Sequence, residues 1–348
     1  MSLKNYGVLK GRPVDCRLGA GQSPHYQIRL VAGVEAFRVA INVKSQQQPS
    51  ELLYLLDDRF THPICDSLVD LAPGFHPRPK GPAGGGLDYI RGNLFSPFQM
   101  VPLPFNVPGP DNDLNEKFDS VVQRALADES AMVYAFGEPW GPEVGVADKY
   151  FGFTPGRGIH DIHMNQGNSG QFKKDNGVWQ DGGLLVHFPD QSQWVAVFTA
   201  FQSQAWHTDD VTGNPLPGGA PQPAEDPAPA NPTPGVLPTS SLPDGLVRIV
   251  GALVNSTKSP EEEIVTLLNT GTSAIDLAGW HLVDKQKARM PLSGPLPAGG
   301  VIQVRVVAPV ALSNKGGLIS LLDPQGRKVD GVSYTKDQAR NPGWTLVF

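Results

Sequence analysis

A proline-dense stretch beyond the middle of the chain most constrains what this sequence can fold into. Residues 213–244 hold ten prolines and little hydrophobic mass, so they have almost nothing to bury in a core. Extended at about 3.1 Å per residue, such a stretch would span up to roughly 100 Å and act as a stiff spacer. We therefore predict two domains, residues 1–212 and 245–348, joined by a proline-rich linker at 213–244.

The composition favours strands and loops over helices. The chain has 348 residues, of which 40% are hydrophobic and 18% charged, as in soluble globular proteins. Its 39 glycines and 34 prolines exceed average usage, and helix-periodic runs are few. We predict a mainly β protein with a few helices.

The charge, the cysteines and the N-terminus exclude several classes of protein. A net charge of −6 argues against a general nucleic-acid or anionic-membrane binder. Only Cys16 and Cys65 are present, which indicates neither a disulfide framework nor a cysteine zinc site. Neither a signal-peptide core nor an apolar run of about 18 residues occurs. We expect no membrane insertion and a cytoplasmic location by default, with signal-independent secretion left open.

Alternating patterns predict an N-terminal α+β domain built on antiparallel strands. Polar and apolar residues alternate with period two in the first strands. The segment from Ser50 to Leu56 fits a buried strand or a short helix. The helix at Leu114 to Ala127 is predicted most clearly, with Asp113 as N-cap and Glu116 in a capping-box position. The predicted strands are Tyr6–Gly11, Tyr26–Val31, Phe37–Val43, Met132–Gly137, Leu184–Phe188 and Trp194–Phe201.

The C-terminal residues have the pattern of an all-β sandwich. Short alternating strands recur between turns that contain Gly, Asn or Asp. Over residues 244–348 there are 11 Lys and Arg against 9 Asp and Glu, a surplus too small to indicate DNA binding. The predicted strands are Val247–Val254, Ile264–Leu268, Trp280–Val283, Val301–Val307, Leu318–Leu322 and Val329–Tyr334.

The densest polar cluster lies between Gly158 and Gly170. If it is a strand, Asp161, His163 and Asn165 share one face and His160 lies on the other; if it is a helical turn, His160 and His163 share a face. Either geometry brings together oxygen and nitrogen donors that suit a divalent metal such as Zn, Mn or Mg. The alternative is a hydrogen-bond network that fixes a glycine-rich turn. No organic cofactor is indicated.

The residues predicted to form the site extend beyond this cluster. Ser169 in a Gly-Asn-Ser-Gly sequence is a weak candidate nucleophile, because such sequences are ordinary turns. Glu138 and Glu143, expected in a turn, could do acid/base work or be surface charge. The predicted catalytic residues are His160, Asp161, His163, Asn165 and His187; the predicted metal ligands are His160, Asp161, His163 and His187, with His25 as a further candidate; the predicted substrate-binding residues are His25, Asn42, Lys44, Gln166, Gln202 and Gln204.

We expect His187 to join the cluster for an energetic reason. Strands 184–188 and 194–201 are apolar enough to be central, so the imidazole of His187 needs a partner. A hairpin signal at Asp175-Asn176-Gly177 would lay this strand beside residues 160–166. We therefore predict that His160, Asp161 and His163 converge with His187, and with His25 or Gln202, in one cleft.

Two resemblances add to these patterns. Residues 246–348 resemble a lamin-tail domain, an immunoglobulin-like sandwich, through Glu263 to Asn269, Ile275 to Asp284 and Val329 to Tyr334. The resemblance implies an attachment module. Residues 5–212 resemble the YukJ-like bacterial family of unknown function through Tyr6 to Gly11, Ile41 to Ser45, Gly158 to Asn168 and Phe201 to Gln204. That resemblance implies no reaction.

Two hypotheses of function follow. The first is a hydrolase, metal-assisted and acting on a phosphoester, with a C-terminal attachment module. The second is a non-catalytic ligand-binding or structural protein whose polar cluster locks a turn. The expected partners are a small-molecule or polymer ligand for the first domain and a protein or surface partner for the second.

Overall fold

The computed structural model describes residues 7–21, 24–43, 52–77, 93–95, 99–103, 107–109, 112–161, 182–201, 245–326 and 328–348. The chain forms two compact units: Met1–Gly92 with Gln99–Gln204, and Asn93–Phe98 with Ala205–Phe348. The predicted linker lies outside the described residues, so the predicted boundaries stay a prediction. Among the described residues, no helix has both the length and the apolar character needed to cross a bilayer.

In its described residues, the first unit is one ten-stranded sheet with two α-helices. Its elements, in chain order, are β1 (Gly7–Arg17), β2 (His25–Ala32), β3 (Glu35–Asn42), β4 (Leu52–Asp57), α1 (Ile64–Val69), β5 (Gly74–Pro77), β6 (Val101–Leu103), α2 (Leu114–Ala127), β7 (Met132–Glu143), β8 (Gly156–Asp161), β9 (Gly182–Phe188) and β10 (Gln193–Phe201).

Five of these strands close into a ring. The sheet order runs β1-β2-β3-β8-β7, and β7 pairs back onto β1. All neighbours in the ring are antiparallel except β3 and β8, which are parallel. In chain order the ring strands are therefore arranged 1-2-3-5-4, and α2 lies between the third and the fourth. This is the topology of the OB-fold, a five-stranded Greek-key barrel; β5 adds to β1, and β9, β10, β4 and β6 extend the sheet from β7.

Strict alternation explains why these strands form a barrel with one apolar side. Every second residue of β2 and β3 is apolar and faces the interior, as with Ile28 and Val39, which are partners in register. Ile159 of β8 is the next partner in line, and all three are fully buried. The intervening residues of the same strands face outward, and the candidate site is built on that side.

Helix α2 is the element that the sequence predicted most completely. It spans Leu114–Ala127, and the backbone N–H of Glu116 donates to the Asp113 carboxylate at 3.2 Å, as a helix N-cap requires. The Glu116 carboxylate accepts from the backbone N–H of Asn112 at 2.8 Å, one residue before the position that a capping box would use. Phe118 lies on the buried face of the helix and stacks on Tyr26 of β2, with the ring centroids 5.9 Å apart.

Two local expectations are corrected or decided. The segment that fitted either a helix or a strand is strand β4. The segment from Glu138 to Glu143 was predicted as a turn, but it continues β7 beyond Gly137. The pairing with β8 shifts in register between Trp140 and Glu143, so an irregular strand accommodates Gly141 and Pro142.

Strands β8 and β9 follow one another along β7. Gly137 of β7 pairs with Asp161 at the end of β8, and Tyr134 pairs with Leu185 of β9. Both strands are antiparallel to β7 and therefore run in the same direction. They are not the two arms of a hairpin, so the prediction that residues 160–161 lie beside strand 184–188 is wrong. The hairpin signal at Asp175-Asn176-Gly177 lies outside the described residues.

The second unit is a β-sandwich, which confirms the predicted fold class. One sheet has the order β17-β12-β11-β20, the other β15-β14-β18-β19, and β13 pairs with β16. Trp280, Tyr334 and Leu267 are among the side chains buried in its core. The strands are β11 (Val247–Leu253), β12 (Ile264–Asn269), β13 (Ile275–Asp276), β14 (His281–Asp284), β15 (Arg289–Pro291), β16 (Pro295–Leu296), β17 (Val301–Arg305), β18 (Gly316–Leu322), β19 (Lys328–Thr335) and β20 (Leu346–Val347).

Candidate functional site

Outward-facing side chains of four ring strands meet on one face of the barrel. Gln27, Ala40, His160 and Glu138 are successive partners across β2, β3, β8 and β7. A second row, two residues along each strand, holds Arg29, Arg38, Gly158 and Trp140. Because the side-chain period of a strand is two, both rows lie on the same face.

Two histidines contact each other on this face. The Nε2 atoms of His25 and His160 are 2.9 Å apart, and the rings meet edge to face with centroids 4.8 Å apart. The small side chain of Ala40, the register partner of His160 on β3, leaves room for this diagonal contact. His160 Nδ1 lies 3.1 Å from the carbonyl oxygen of Asp161, which can only accept. In a neutral pair, Nδ1 of His160 therefore carries its proton, and His25 donates to Nε2 of His160.

The same face bears a cleft of about 760 Å³. Its floor is formed by the first row together with Arg38 and Trp140 of the second, and its wall by residues 146–150 of the loop between β7 and β8. We call it the barrel cleft; it is lined by His25, Gln27, Arg38, Ala40, Glu138, Pro139, Trp140, Glu143, Val146, Ala147, Asp148, Lys149, Tyr150, Gly156 and His160.

Arg38 is the central cation of the barrel cleft. Its guanidinium lies 4.5 Å from the ring centroid of Trp140 and 4.9 Å from that of Tyr150. Its Nε donates to Asp148 at 2.7 Å, and its Nη1 donates to Gln27 Oε1 at 2.8 Å. Stacking and charged hydrogen bonds together hold the side chain in one orientation. A glycine at 158 is needed beside it, because a Cβ there would lie 2.3 Å from the Trp140 ring.

Asp148 holds the wall of the cleft in place. Its Oδ1 accepts from the backbone N–H groups of Tyr150 at 3.0 Å and Phe151 at 2.9 Å, while Oδ2 accepts from Arg38. Burial alone would raise the pKa of Asp148, but the hydrogen bonds from Arg38 and from the backbone bring it below its ordinary value. The loop is therefore anchored to the floor of the cleft before any ligand binds.

Asp161 does not share this face. It is 1% exposed, and its Oδ2 accepts from the backbone N–H of Gly183 at 2.7 Å. The alternation predicted for a strand thus holds at His160 and Asp161, which point to opposite sides. The prediction that both belong to one metal site is wrong for this pair, because the carboxylate is committed to the junction of β8 and β9.

His187 is far from His160. On β7, Met132 pairs with His187 and Glu138 pairs with His160. These two partners are six residues apart along β7, or about 20 Å at 3.3–3.4 Å per residue. The predicted convergence of His187 with His160 is therefore wrong.

The surroundings of His187 are those of a packed side chain. Its ring stacks on Trp194 with centroids 4.4 Å apart. Burial, and secondarily the positive charge of Lys10, lowers the pKa of His187. The partner that the sequence argument required is therefore an aromatic ring of the neighbouring strand.

The remaining predicted site residues divide in two. Asn42 is described and lies opposite His25 in the β2–β3 register, but it is not among the residues that line the barrel cleft, where His25 and His160 meet. The others lie outside the described residues: Lys44, His163, Asn165, Gln166, Ser169, Gln202 and Gln204. Across the described parts of the chain, no group of three or more His, Cys, Asp or Glu side chains is arranged to hold a metal ion.

The sequence argument missed most of the barrel cleft. Gln27 and Arg38 occupy the polar positions of strands whose alternation was recognised, and that alternation already placed them on one face. Trp140 and Tyr150 gave no periodic signal, because they lie on an irregular strand and in a loop. Asking which polar residues share the outer face of β2 and β3 would have found the first two.

Together the fold and the cleft define an OB-type barrel with a polar and aromatic cleft on its outer face, followed by a β-sandwich. The chain belongs to a family described as "Uncharacterized conserved protein (DUF2278)", whose model matches residues 1–213. It is 46% identical over 220 residues to "Uncharacterized protein YukJ" of Bacillus subtilis (strain 168), a match that covers 62% of this chain and 96% of that protein. The YukJ-like resemblance is confirmed, and the lamin-tail resemblance stays a prediction.

Proposed function

We propose that the barrel cleft binds a neutral, hydroxyl-rich oligomer, namely an oligosaccharide. The observation that carries this proposal is the position of the cleft. It lies on the face of the second and third ring strands and beneath the loop between the fourth and fifth, where OB-folds bind oligonucleotides and oligosaccharides. Because fold alone does not determine function, the chemistry of the lining must choose between these classes.

The charge of the lining favours the saccharide. Arg38 and Lys149 face three carboxylates, those of Glu138, Glu143 and Asp148, and Arg38 is already paired with Asp148. With neutral imidazoles the cleft carries a net charge of −1. Binding to nucleic acid depends on cations that replace the counterions of phosphates, and this cleft offers a surplus of anions.

The hydrogen-bonding groups and the size of the cleft also favour a saccharide. Carboxylates and imidazole nitrogens accept hydrogen bonds from hydroxyl groups, while Gln27 and Arg38 supply donors. Tyr150 is 43% exposed, so its ring retains surface on which the apolar face of a sugar could stack. A cleft of about 760 Å³ falls within the usual 300–1,000 Å³ of ligand sites.

The test is binding of defined probes to the full-length chain by isothermal titration calorimetry. The probes are neutral oligosaccharides built from glucose, mannose or N-acetylglucosamine, with single-stranded DNA of similar length as the competing class. We expect one saccharide to bind and Tyr150→Ala to weaken its binding by roughly three- to tenfold, the value of one aromatic contact. Val144→Ala is the matched control, because Val144 is on the same loop, is 89% exposed and does not line the cleft.

Two results would contradict the proposal. Binding of single-stranded DNA in preference to every saccharide would assign the cleft to the other OB-fold ligand class. Saccharide binding that Tyr150→Ala and Val144→Ala leave equally strong would place the ligand elsewhere on the chain.

A second candidate function is hydrolysis of a phosphoester, and the contact between His25 and His160 favours it. One imidazole donates to the other, so the pair could accept a proton from water and return it to a leaving group. Two nitrogens bound to a tetrahedral zinc at 2.0–2.1 Å lie about 3.3–3.4 Å apart, so the pair fits a metal after widening by about half an ångström from 2.9 Å. A divalent metal held there would supply an activated water.

Metal analysis and phosphodiester hydrolysis separate this candidate from binding alone. We would measure the metal content of the chain purified without chelator, and the turnover of bis(p-nitrophenyl) phosphate. His160→Ala should abolish both metal and turnover, while His187→Ala should keep both because His187 is remote from the cleft. Full turnover in His160→Ala would show that the histidine pair does not take part in the reaction.

For the second unit we propose the role of an attachment module of the lamin-tail type, bound to a protein or surface partner. Its β-sandwich architecture supports this proposal. Deleting residues 245–348 should change what the chain associates with in pull-down experiments while leaving the ligand affinity of the barrel cleft unchanged. Loss of that affinity in a still-folded deletion variant would contradict it.

A further inference from the structure

A short segment from the first third of the chain is buried within the second unit. Asn93, Leu94 and Phe95 are 2%, 5% and 7% exposed, respectively. The compact unit that contains the β-sandwich includes Asn93–Phe98. Asn93 also has a left-handed backbone, with φ of 53°, which asparagine tolerates better than most residues.

The side chain of Asn93 contacts the paired strands β18 and β19 through both of its polar atoms. Its Nδ2 lies 3.0 Å from the carbonyl oxygen of Ile319, 3.1 Å from that of Val332 and 3.1 Å from Ser320 Oγ. Its Oδ1 accepts from Lys328 Nζ and lies 3.3 Å from Ser320 Oγ. The amide is thus surrounded on its donor side by oxygens and on its acceptor side by an ammonium group.

The sandwich has a recess shaped for this amide. Gly331 lies at its base, and a Cβ there would be 2.4 Å from Asn93 Oδ1 and 2.4 Å from Lys328 Cε. Ile319 and Val332, whose carbonyl groups accept from Asn93, are partners in the β18–β19 register. Lys328 itself is 9% exposed, so its buried ammonium group depends on nearby acceptors.

The carbonyl acceptors on one side and the Lys328 ammonium group on the other fit an asparagine side chain better than an aspartate or an alanine. An aspartate of the same shape would keep an acceptor for Lys328, but it would present an oxygen to the carbonyl groups of Ile319 and Val332. An alanine would leave these polar groups without the amide that now joins them. An amide with a donor and an acceptor at fixed positions satisfies both sides at once.

We infer that strands β18 and β19 form a binding site for an asparagine-centred peptide segment, and that residues 93–95 of the same chain occupy it. The kind of ligand is a segment in which asparagine is followed by two large apolar residues, here Leu94 and Phe95. The second unit is accordingly assembled from two stretches that are remote in sequence. Cutting the chain between them should leave both pieces bound to each other.

The test uses the full-length chain with the recognition sequence of a site-specific protease inserted within residues 213–244. After cleavage, size-exclusion chromatography at stepwise dilution measures whether the two fragments elute together, and denaturant confirms that the cut is complete. We expect co-elution at micromolar concentration. Asn93→Asp should raise the dissociation constant of the fragments at least tenfold.

The matched control is Asn112→Asp. Asn112 also uses its side-chain amide on a backbone carbonyl, that of Pro108, but its site is exposed. It should leave the elution unchanged. Gly331→Ala disrupts the same contact from the side of the sandwich, because its methyl group would occupy the space of the Asn93 oxygen. This variant provides the test if Asn93→Asp fails to fold. Circular dichroism of the uncut variants shows which of them fold.

Three results would overturn the inference. Wild-type fragments that elute separately at micromolar concentration show that the segment does not hold the pieces together. An unchanged dissociation constant in Asn93→Asp, if this variant folds, shows that other contacts hold the fragments together. If only Gly331→Ala folds, an unchanged dissociation constant in that variant shows the same. An equal loss of affinity in Asn112→Asp shows that the effect is not specific to residue 93.

Discussion

The two ends of strand β7 place a histidine of a neighbouring strand in opposite surroundings. Near its C-terminal end, His160 of β8 lies in the barrel cleft and contacts His25. At its N-terminal end, His187 of β9 stacks on Trp194. The same residue type, paired with the same strand, is thus a candidate for chemistry in one place and a packing element in the other.

The neighbours of each histidine account for the difference. Ala40 and Gly158 flank the outward face around His160 and leave space for a ligand. At the other end, Trp194 and Tyr134 fill the space around His187, with their ring centroids 5.1 Å apart. For these two histidines, small neighbours leave room for a ligand and aromatic neighbours fill it.

The largest expected effect on stability is at the N-terminal end of β7, where His187 is packed. Trp194→Ala should lower the free energy of unfolding by about 2–3 kcal/mol, because it removes the ring that joins His187 to Tyr134 and leaves a void. Urea denaturation followed by circular dichroism measures this. Trp344→Ala is the control, since Trp344 is 69% exposed, and it should change stability little. Equal effects of the two substitutions would contradict the assignment of His187 to packing.

The second effect on stability tests the junction of β8 and β9, which lies between the two ends of β7. Asp161→Ala should cost about 1–3 kcal/mol of stability, because it removes a buried acceptor of the Gly183 N–H. Asp161→Asn, which keeps an acceptor oxygen, should cost less. If Asp161→Ala were as stable as the wild type in urea denaturation, the carboxylate would be free for the metal role that the sequence predicted.

The third effect concerns pH. Because the pKa of His187 is lower in the folded chain than its ordinary value near 6.5, the unfolded chain binds this proton more readily. The contribution of neutral His187 to folding stability is therefore fully present above about pH 6.5. This contribution falls as the pH decreases through the ordinary pKa. Urea denaturation at pH 7 and pH 5.5 measures the loss. His187→Gln should show a smaller loss than the wild type, and an identical loss would refute this account.

The smallest effect on stability is expected in the cleft. His160→Ala should change the free energy of unfolding by less than about 1 kcal/mol, since the open cleft leaves its neighbours in contact with water. The same substitution should reduce ligand affinity in calorimetry. The comparison fails if His160→Ala destabilises the chain as much as Trp194→Ala does.

Local patterns predicted the local structure well. Helix α2 has the predicted bounds and N-cap because its apolar spacing and capping residues are all encoded within one segment. The strands β2 and β3 follow from alternation, and so does the opposite orientation of His160 and Asp161. Each of these features depends on residues that are near one another in sequence.

The closure of the barrel could not be predicted in this way. It depends on Val39 of β3 pairing with Ile159 of β8 in parallel and on β7 returning to β1. Nothing in the alternation of a strand identifies its partner when the intervening chain is this long. The error about His187 has the same origin, because a local hairpin signal was used to infer a pairing that the sheet does not contain.

The end-to-end arrangement of β8 and β9 brings the end of one strand next to the start of the other. Strand β8 ends at Asp161 and β9 begins at Gly182, and the Asp161 carboxylate accepts from the backbone N–H of Gly183 at 2.7 Å. The two ends of residues 162–181 therefore lie close enough for a few residues to bridge them. Replacing residues 162–181 by a short linker would remove His163, Asn165 and Gln166 together, and would separate their contribution from that of the barrel in a single step.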